Sequence, residues 1–143
     1  MTTSPVDPRD ETVEVWDGRL RLHVKVAGDG PPLLYFHPLP GLAWWPLLSR
    51  LARRHTVYAP EHPGTSPGDP QAIREVQTFW ELLLAYEEAI GKLGLDRPAA
   101  IGQSFPVRIL DSRIRRPRPA EGHRHDPGDR RHVLHSRSIP QPA

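Results

Sequence analysis

The chain has 143 residues, 18 of them proline and none of them cysteine, and aromatic residues make up only 7% of it. Its length predicts one domain, and the lack of cysteine excludes a disulfide framework and a thiolate metal site. No apolar run approaches the roughly 20 residues that span a bilayer. The first ten residues also lack the basic-then-apolar pattern of a secretory signal. These features predict a cytoplasmic protein without a membrane partner.

The net charge of +2 is distributed unevenly along the chain. Residues 106–143 contain nine arginines, no lysine and four acidic residues, a net charge of +5. The preceding residues contain ten basic and thirteen acidic residues, a net charge of −3. We therefore expect three regions: a flexible N-terminus over residues 1–10, a folded domain over 11–106 and a basic tail over 107–143.

The first predicted element is a β-hairpin. Apolar and polar residues alternate over Thr12–Trp16 and Leu20–Val26, and Asp17-Gly18 between them is a hairpin turn signal. We expect this antiparallel hairpin to lie at the edge of a sheet. Pro32–Phe36 follows as a short run that is apolar on both faces, which predicts a buried central strand.

Two helices and two further strands are predicted after this run. Apolar residues recur at helical spacing over Trp44–Arg54, which ends in basic residues, and over about Ala72–Leu93, which Gly94 would cap. Short apolar runs predict strands at His55–Ala59 and Pro98–Ile101. The alternation of strand and helix predicts an α/β fold with parallel strands joined by crossover helices.

The residues after Phe105 differ in composition from the rest. No lysine or aromatic residue occurs there, whereas arginine, proline and histidine are frequent. The apolar residues of this segment do not recur at a regular spacing. Such a segment cannot bury enough apolar area to offset its chain entropy, so we expect disorder from about Arg115 onward. GC-rich codons favour these residue types in any reading frame. One hypothesis is therefore out-of-frame translation after Phe105, which translation of the gene's other two frames would test.

The segment Gly102-Gln103-Ser104-Phe105 follows the last predicted strand directly and has the first half of a nucleophile elbow. In such an elbow the serine lies on a tight strand-to-helix turn, and the N–H of the next residue faces the developing oxyanion. The full pattern, G-x-S-x-G, has glycine where this chain has Pro106. A proline there disfavours helical backbone at Phe105, although the first turn of a helix tolerates proline. The alternative is an ordinary turn serine.

Four segments, in this order, resemble the first half of the α/β-hydrolase fold family. They are His37-Pro38-Leu39-Pro40-Gly41, which resembles the oxyanion loop, Ala59-Pro60-Glu61-His62-Pro63-Gly64, which resembles the loop after the next strand, Leu93-Gly94-Leu95-Asp96-Arg97-Pro98, which resembles the helix-to-strand link, and the elbow itself. The resemblance extends from about Val13 to Phe105, and it predicts a partial α/β-hydrolase sheet followed by a disordered C-terminal tail.

The resemblance implies a hydrolase that cleaves a small ester-like substrate without a cofactor. It implies that Ser104 is the nucleophile and that the N–H groups of Phe105 and Leu39 are oxyanion donors. The family's catalytic acid and histidine come later in the chain and have no counterpart in the matching segments. His37 and Trp44 are candidate binding residues. The alternatives are a loop-shaping role for His37 and a partly exposed packing position for Trp44. The oligomeric state is open.

Two other functions stay open. The chain would be a catalytically inactive fragment if the triad acid and histidine are missing, and its last strand would then present an open edge. It would be an interaction protein if the basic tail binds an acidic partner. The tail has no aromatic side chain for base stacking, which argues against nucleic acid. Its histidines and aspartates suit zinc, but the neighbouring arginines repel a cation, so no metal site is predicted.

Overall fold

A computed structural model describes residues 6–38 and 40–102 of the chain. Its elements, in chain order, are strands β1 (Arg9–Val15), β2 (Leu20–Ala27) and β3 (Pro32–Phe36), helix α1 (Pro46–Leu51), strand β4 (Thr56–Pro60), a 3₁₀ helix (Ala72–Glu75), helix α2 (Phe79–Lys92) and strand β5 (Ala99–Gly102). The five strands form one sheet in the order β1-β2-β4-β3-β5. The predicted tail over residues 107–143 lies outside the described residues.

The hairpin of β1 and β2 lies at one edge of the sheet, as predicted, and β2 pairs antiparallel with β4. β1 begins at Arg9, so the last two residues of the segment expected to be flexible belong to the sheet. The connection is longer than the predicted two-residue turn, because the strand pairing ends at Val15 and Leu20 and leaves residues 16–19 between them. Trp16 and Asp17 take positive φ values of 54° and 55° in this connection. The Glu88 carboxylate of α2 accepts the Trp16 N–H, which holds this loop against the helix.

The other three strands form the predicted parallel core. β3 pairs in parallel with β4 on one side and with β5 on the other. Successive side chains of a strand point to opposite faces of the sheet. Leu34 and Phe36 accordingly pack in one apolar cluster with α2, whereas Leu33 and Tyr35 pack in a second cluster with α1. β3 is therefore buried on both faces, and the two helices lie on opposite faces of the sheet.

Helix α1 is shorter than predicted: it spans Pro46–Leu51, whereas the periodicity predicted Trp44–Arg54. Pro46 lies in the first turn of the helix, where its missing N–H is not needed. Proline disfavours helical backbone at the residue before it, and Trp45 is accordingly extended, with φ −101° and ψ 167°. The position of Pro46 therefore excludes the two preceding residues from the helix, although their apolar side chains continue the helical spacing.

The second predicted helix, Ala72–Leu93, is divided in two. A 3₁₀ helix covers Ala72–Glu75, and α2 starts only at Phe79. The start of α2 is fixed by a capping box: the Thr78 hydroxyl accepts the Glu81 N–H, and the Glu81 carboxylate accepts the Thr78 N–H. The spacing Thr-x-x-Glu is visible in the sequence and marks this start better than the apolar period does.

Candidate active site

The pairing of β3 with β5 brings together two of the segments that resemble catalytic loops. Phe36, the last residue of β3, is the Cα partner of Gly102, the last residue of β5. Because the two strands are parallel, the chain leaves both at the same edge of the sheet. His37 follows Phe36 directly, and Ser104 is two residues beyond Gly102 in the sequence. Ser104, Phe105 and Leu39 themselves lie outside the described residues.

His37 is buried at the start of the loop after β3, and both of its ring nitrogens have hydrogen-bond partners. The His62 backbone N–H donates to His37 Nε2 over 2.9 Å. A backbone N–H can only donate, so Nε2 is the unprotonated nitrogen and the proton is on Nδ1. That Nδ1–H donates to the Pro38 carbonyl over 2.7 Å. His37 is therefore a neutral imidazole that shapes its own loop.

His62 lies in the loop after β4 and has the opposite tautomer. Its Nε2 lies 3.0 Å from the His37 carbonyl oxygen. A carbonyl can only accept, so the His62 proton is on Nε2 and Nδ1 is an acceptor. The hydroxyl of Tyr86, on α2, donates to this Nδ1. The two imidazole rings lie close together, with centroids 4.0 Å apart. His62 therefore connects helix α2 to the loop after β3.

The electrostatics of the three side chains agree with these proton positions. Burial lowers the pKa of His37 below its ordinary value, although the hydrogen bond with Pro38 and the nearby Glu61 carboxylate oppose this shift. Burial also lowers the pKa of His62, and the neighbouring His37 lowers it further. Burial raises the pKa of the Tyr86 hydroxyl. All three side chains are therefore neutral at pH 7. We call this hydrogen-bonded chain, Tyr86–His62–His37–Pro38, the relay.

The relay ends at a closed turn. The Pro38 carbonyl, which accepts the His37 Nδ1–H, also accepts the Gly41 N–H over 3.2 Å. Gly41 has a φ of 122°, in the region that favours glycine. In the sequence, Leu39 falls between these two bonded residues. The turn Pro38–Gly41 is therefore held through Pro38, and we call it the oxyanion turn after the role that the sequence predicted for it.

The loop after β4 is fixed by its own side chains. The buried Glu61 carboxylate accepts the Ser66 hydroxyl over 2.6 Å, and the Glu61 N–H donates to the His23 carbonyl over 2.8 Å. The Thr65 hydroxyl donates to the His62 carbonyl over 2.7 Å. These bonds give the Glu61 side chain and the His62 backbone a part in shaping this loop. The backbone around His62 is thus anchored on both sides of the relay.

An open cavity of about 650 Å³ lies beside the oxyanion turn. It is bounded by the turn, by the loop after β4 and by the hairpin strands, and its lining includes His23, Lys25, Pro40, Gly41, Glu61 and Ser66. The two basic side chains of this lining are already paired: Lys25 lies 2.7 Å from Asp10, and His23 lies 3.3 Å from Asp69. The cavity can therefore accept a small molecule without presenting an unpaired basic group to it.

Trp44 lies beside α1 and does not line this cavity. Its indole N–H is shared between the Val6 carbonyl, 3.0 Å away, and the Ser49 hydroxyl, 3.1 Å away. The ring packs against the apolar cluster of α1 and lines a separate cavity of about 480 Å³. The structure does not bring Trp44 into the relay, and its binding role stays a prediction.

Sequence reasoning missed Tyr86. In the sequence it is one apolar position among many on the buried face of an amphipathic helix. The signal available was the residue type: a buried tyrosine, unlike a leucine, needs a hydrogen-bond partner for its hydroxyl. The partner could not be predicted, because His62 belongs to a different loop whose distance from the helix depends on the fold.

Among the residues that the structure describes, no group of three histidine, cysteine or acidic side chains is arranged to hold a metal ion. In the same ranges, no helix is both long enough and apolar enough to cross a membrane.

No protein-family model and no curated protein matches this sequence. Several solved structures do match it. A Pseudomonas aeruginosa protein provisionally assigned as an epoxide hydrolase is 28% identical, with a TM-score of 0.59 over 73% of this chain and 36% of its own. An epoxide hydrolase from Vigna radiata is 24% identical, with a TM-score of 0.60 over 76% and 35%. The thioesterase domain of the curacin biosynthetic pathway is 19% identical, with a TM-score of 0.59 over 75% and 40%.

These three proteins have the α/β-hydrolase fold, and the described part of this chain shares it. The chain contains part of that fold, since it spans between 35% and 40% of the length of the three. The fold class predicted from the sequence is therefore confirmed.

Proposed function

We propose that this chain provides the nucleophile and the oxyanion turn of a hydrolase that cleaves a small ester-like substrate through Ser104. The observation that carries the proposal is the pairing of Phe36 with Gly102, which starts the oxyanion turn and the elbow from adjacent strands. Ligands of open α/β sheets bind outside the carboxyl ends of the strands, which is where both segments begin. The structural likeness to epoxide hydrolases and a thioesterase supports the hydrolase class.

In the proposed reaction, Ser104 Oγ attacks the carbonyl carbon of the ester and gives its proton to a general base. The N–H groups of Leu39 and Phe105 donate to the oxygen that becomes negative. Collapse of the tetrahedral intermediate breaks the carbon–oxygen bond of the ester, and the alcohol leaves with the proton from the base. Water then hydrolyses the acyl group from Ser104 by the same route.

The general base is neither His37 nor His62. His37 Nε2 accepts a backbone N–H and its Nδ1–H donates to a carbonyl. His62 Nε2–H likewise donates to a carbonyl, and its Nδ1 accepts the Tyr86 hydroxyl. With both nitrogens engaged, neither ring can take a proton from Ser104. The family order implied by the resemblance places the histidine after the serine in the chain, so we assign the base to a residue beyond Ser104.

Covalent labelling of the full chain with a fluorophosphonate, located by mass spectrometry of the peptides, tests the proposal. We expect the label on Ser104, together with hydrolysis of a short-chain p-nitrophenyl ester. Ser104→Ala should lose both, whereas Ser112→Ala, a nearby serine outside the elbow, should keep both. Hydrolysis that survives in Ser104→Ala, or a folded chain that takes no label on Ser104, would overturn the proposal.

An inactive fragment is the second candidate, and the edge of the sheet favours it. Within the described ranges, β5 pairs only with β3, and Ile101 is 43% exposed. A native circular dichroism spectrum without labelling of Ser104 would support this candidate. The third function, binding of an acidic partner by the basic tail, concerns residues outside the described ranges and stays a prediction.

A further inference from the structure

We propose that Tyr86 and His62 are positioning residues that set the geometry of the oxyanion turn, Pro38–Gly41. The catalytic consequence of this inference rests on the proposed function, whereas the positioning itself does not. Neither residue belongs to the machinery implied by the resemblance to α/β-hydrolases, in which only a nucleophile, two backbone donors and a later acid and histidine take part.

The first argument is that each hydrogen bond of the relay has a defined direction. The Tyr86 hydroxyl donates to His62 Nδ1, which leaves the His62 proton on Nε2, where it meets the His37 carbonyl. The other tautomer of His62 would place a lone pair against that carbonyl and leave the Tyr86 hydroxyl without its acceptor. The His37 carbonyl therefore fixes the proton on His62 Nε2, and the Tyr86 hydroxyl stabilises this arrangement by donating to Nδ1.

The second argument is that two reciprocal hydrogen bonds join His37 and His62. The His62 backbone N–H donates to the His37 ring, and the His62 ring donates to the His37 backbone. A ring and a backbone group on each residue take part, so neither loop can shift along the sheet edge without breaking both bonds. The loops after β3 and β4 are thereby fixed relative to each other.

The third argument is the rigidity of the anchor. Tyr86 is 1% exposed on the 14-residue helix α2, and its ring packs edge-to-face on Phe36 with centroids 5.3 Å apart. Phe36 directly precedes His37, so the same side chain contacts the end of β3 and, through His62, the loop that follows. A functional loop held by locked side chains of regular elements keeps its geometry better than a loop held by itself.

The fourth argument connects the relay to catalysis. Its last acceptor, the Pro38 carbonyl, also closes the turn by accepting the Gly41 N–H. That turn contains Leu39, the proposed oxyanion donor. A displacement of about 1 Å in a catalytic group can reduce the rate about a hundredfold. Because the oxyanion forms only in the transition state, a displaced donor lowers kcat more than it changes KM.

The test compares Tyr86→Phe with Tyr35→Phe in the full chain. Tyr86→Phe keeps the packing on Phe36 and removes only the hydroxyl. Tyr35 is a matched control, because it is equally buried but packs with α1 on the opposite face of the sheet. Long-range ¹H–¹⁵N NMR spectra of the histidine rings report the tautomers, and hydrogen exchange of the Gly41 amide reports the turn.

In the wild type and in Tyr35→Phe, we expect His62 protonated on Nε2 and His37 on Nδ1. In Tyr86→Phe, the His37 carbonyl still requires the proton on His62 Nε2, so we expect the same tautomers but faster exchange at Gly41, by about fivefold or more, as for the loss of one buried hydrogen bond. His62→Ala should accelerate exchange at Gly41 at least as much. Opposite tautomers in the wild type, or unchanged exchange at Gly41 in Tyr86→Phe, would overturn the inference.

The kinetic readout separates this inference from the proposed function. If Ser104-dependent hydrolysis is present, Tyr86→Phe should lower kcat by about tenfold to a hundredfold and leave KM within about twofold. An unchanged kcat with accelerated exchange at Gly41 would refute the catalytic role of the positioning. A chain without Ser104-dependent hydrolysis refutes the proposed function, and the NMR and exchange data then decide the positioning by themselves.

Discussion

His62 gives its backbone N–H to the ring of His37 and its ring N–H to the backbone of His37. Together with the hydrogen bond from the Tyr86 hydroxyl to His62 Nδ1, this reciprocal pair requires two neutral rings with opposite tautomers. A proton added to His37 Nε2 would face the His62 N–H, and a proton added to His62 Nδ1 would face the Tyr86 hydroxyl. The pair therefore couples the stability of this part of the fold to pH.

We predict that stability declines as the pH falls below about 6.5, the ordinary histidine value. Burial lowers the pKa of His37 and of His62 in the folded state, so the unfolded chain binds these protons first. Their contribution is complete above the unfolded pKa and is lost as the pH falls through the window down to the folded values. Urea unfolding of the wild type at pH 7.5 and 5.5 measures the decline.

The control for this prediction is the double variant His37→Asn/His62→Asn. The double variant keeps the other histidines and all carboxylates. The carboxylates stay ionised near pH 6, because this pH is above their ordinary titration range. The double variant should be less stable than the wild type at pH 7.5 and should lose less stability between the two pH values. An equal loss in both proteins would assign the pH dependence to other groups.

Removal of the Glu88 carboxylate should detach the hairpin loop from α2. This carboxylate accepts the Trp16 N–H at 3.2 and 3.3 Å and pairs with Lys92 at 3.1 Å. Glu88→Ala should lower the free energy of unfolding by about 1.5–3 kcal/mol, the range for a hydrogen bond to a charged group. Glu75→Ala removes only an exposed pair with Arg19 at 3.9 Å. It should change the free energy by less than about 1 kcal/mol. Equal effects in urea unfolding would contradict the prediction.

The capping box of α2 should contribute measurably to the free energy of unfolding. Thr78→Ala removes the hydroxyl that accepts the Glu81 N–H, and we expect a loss of about 1 kcal/mol in the free energy of unfolding. Thr78→Ser keeps an accepting hydroxyl and should retain most of the stability. If the alanine and serine variants unfold at the same urea concentration, the cap does not stabilise the helix.

Two glycine substitutions should change the free energy of unfolding in opposite directions. Gly91 lies within α2, and a Cβ added there would meet no atom within 4 Å. Gly91→Ala should therefore raise the free energy of unfolding by about 0.5–1 kcal/mol, since alanine favours the helix. Gly28 has a φ of 92°, and an added Cβ would collide with the carbonyl oxygens of Ala52 and His55. Gly28→Ala should destabilise the protein by more than about 1 kcal/mol. Thermal unfolding of both variants checks the signs.

The sequence predicted the sheet better than it predicted the site. Pro32–Phe36 is apolar at every position, and a strand buried on both faces requires that pattern, so β3 could be assigned from local information. The start of α2 was missed because the apolar period continues upstream of Thr78. The cap at Thr78 fixes the start of the helix despite this apolar period, because it satisfies backbone N–H groups that the helix itself leaves unpaired.

The relay could not be predicted, because its partners are brought together only by the fold. His37 and His62 lie in the loops after two neighbouring parallel strands, and Tyr86 contacts His62 from a helix on one face of the sheet. The residue type gave a weaker signal: a loop-shaping role was one of the alternatives for His37, and the hydrogen bonds of its ring support that role. Ser104, Leu39 and Phe105 lie outside the described residues, so the resemblance is still what assigns their roles.

The pairing of Phe36 with Gly102 joins residues that are 66 positions apart in the sequence. Contacts of such long range form late, because closing the intervening loop costs chain entropy before the contact stabilises the chain. The hairpin and the pair of β3 with β4 need much shorter loops. We therefore expect β5 to join the sheet after the other strands, so that the segment proposed to bear the nucleophile reaches the oxyanion turn when that turn is already in place.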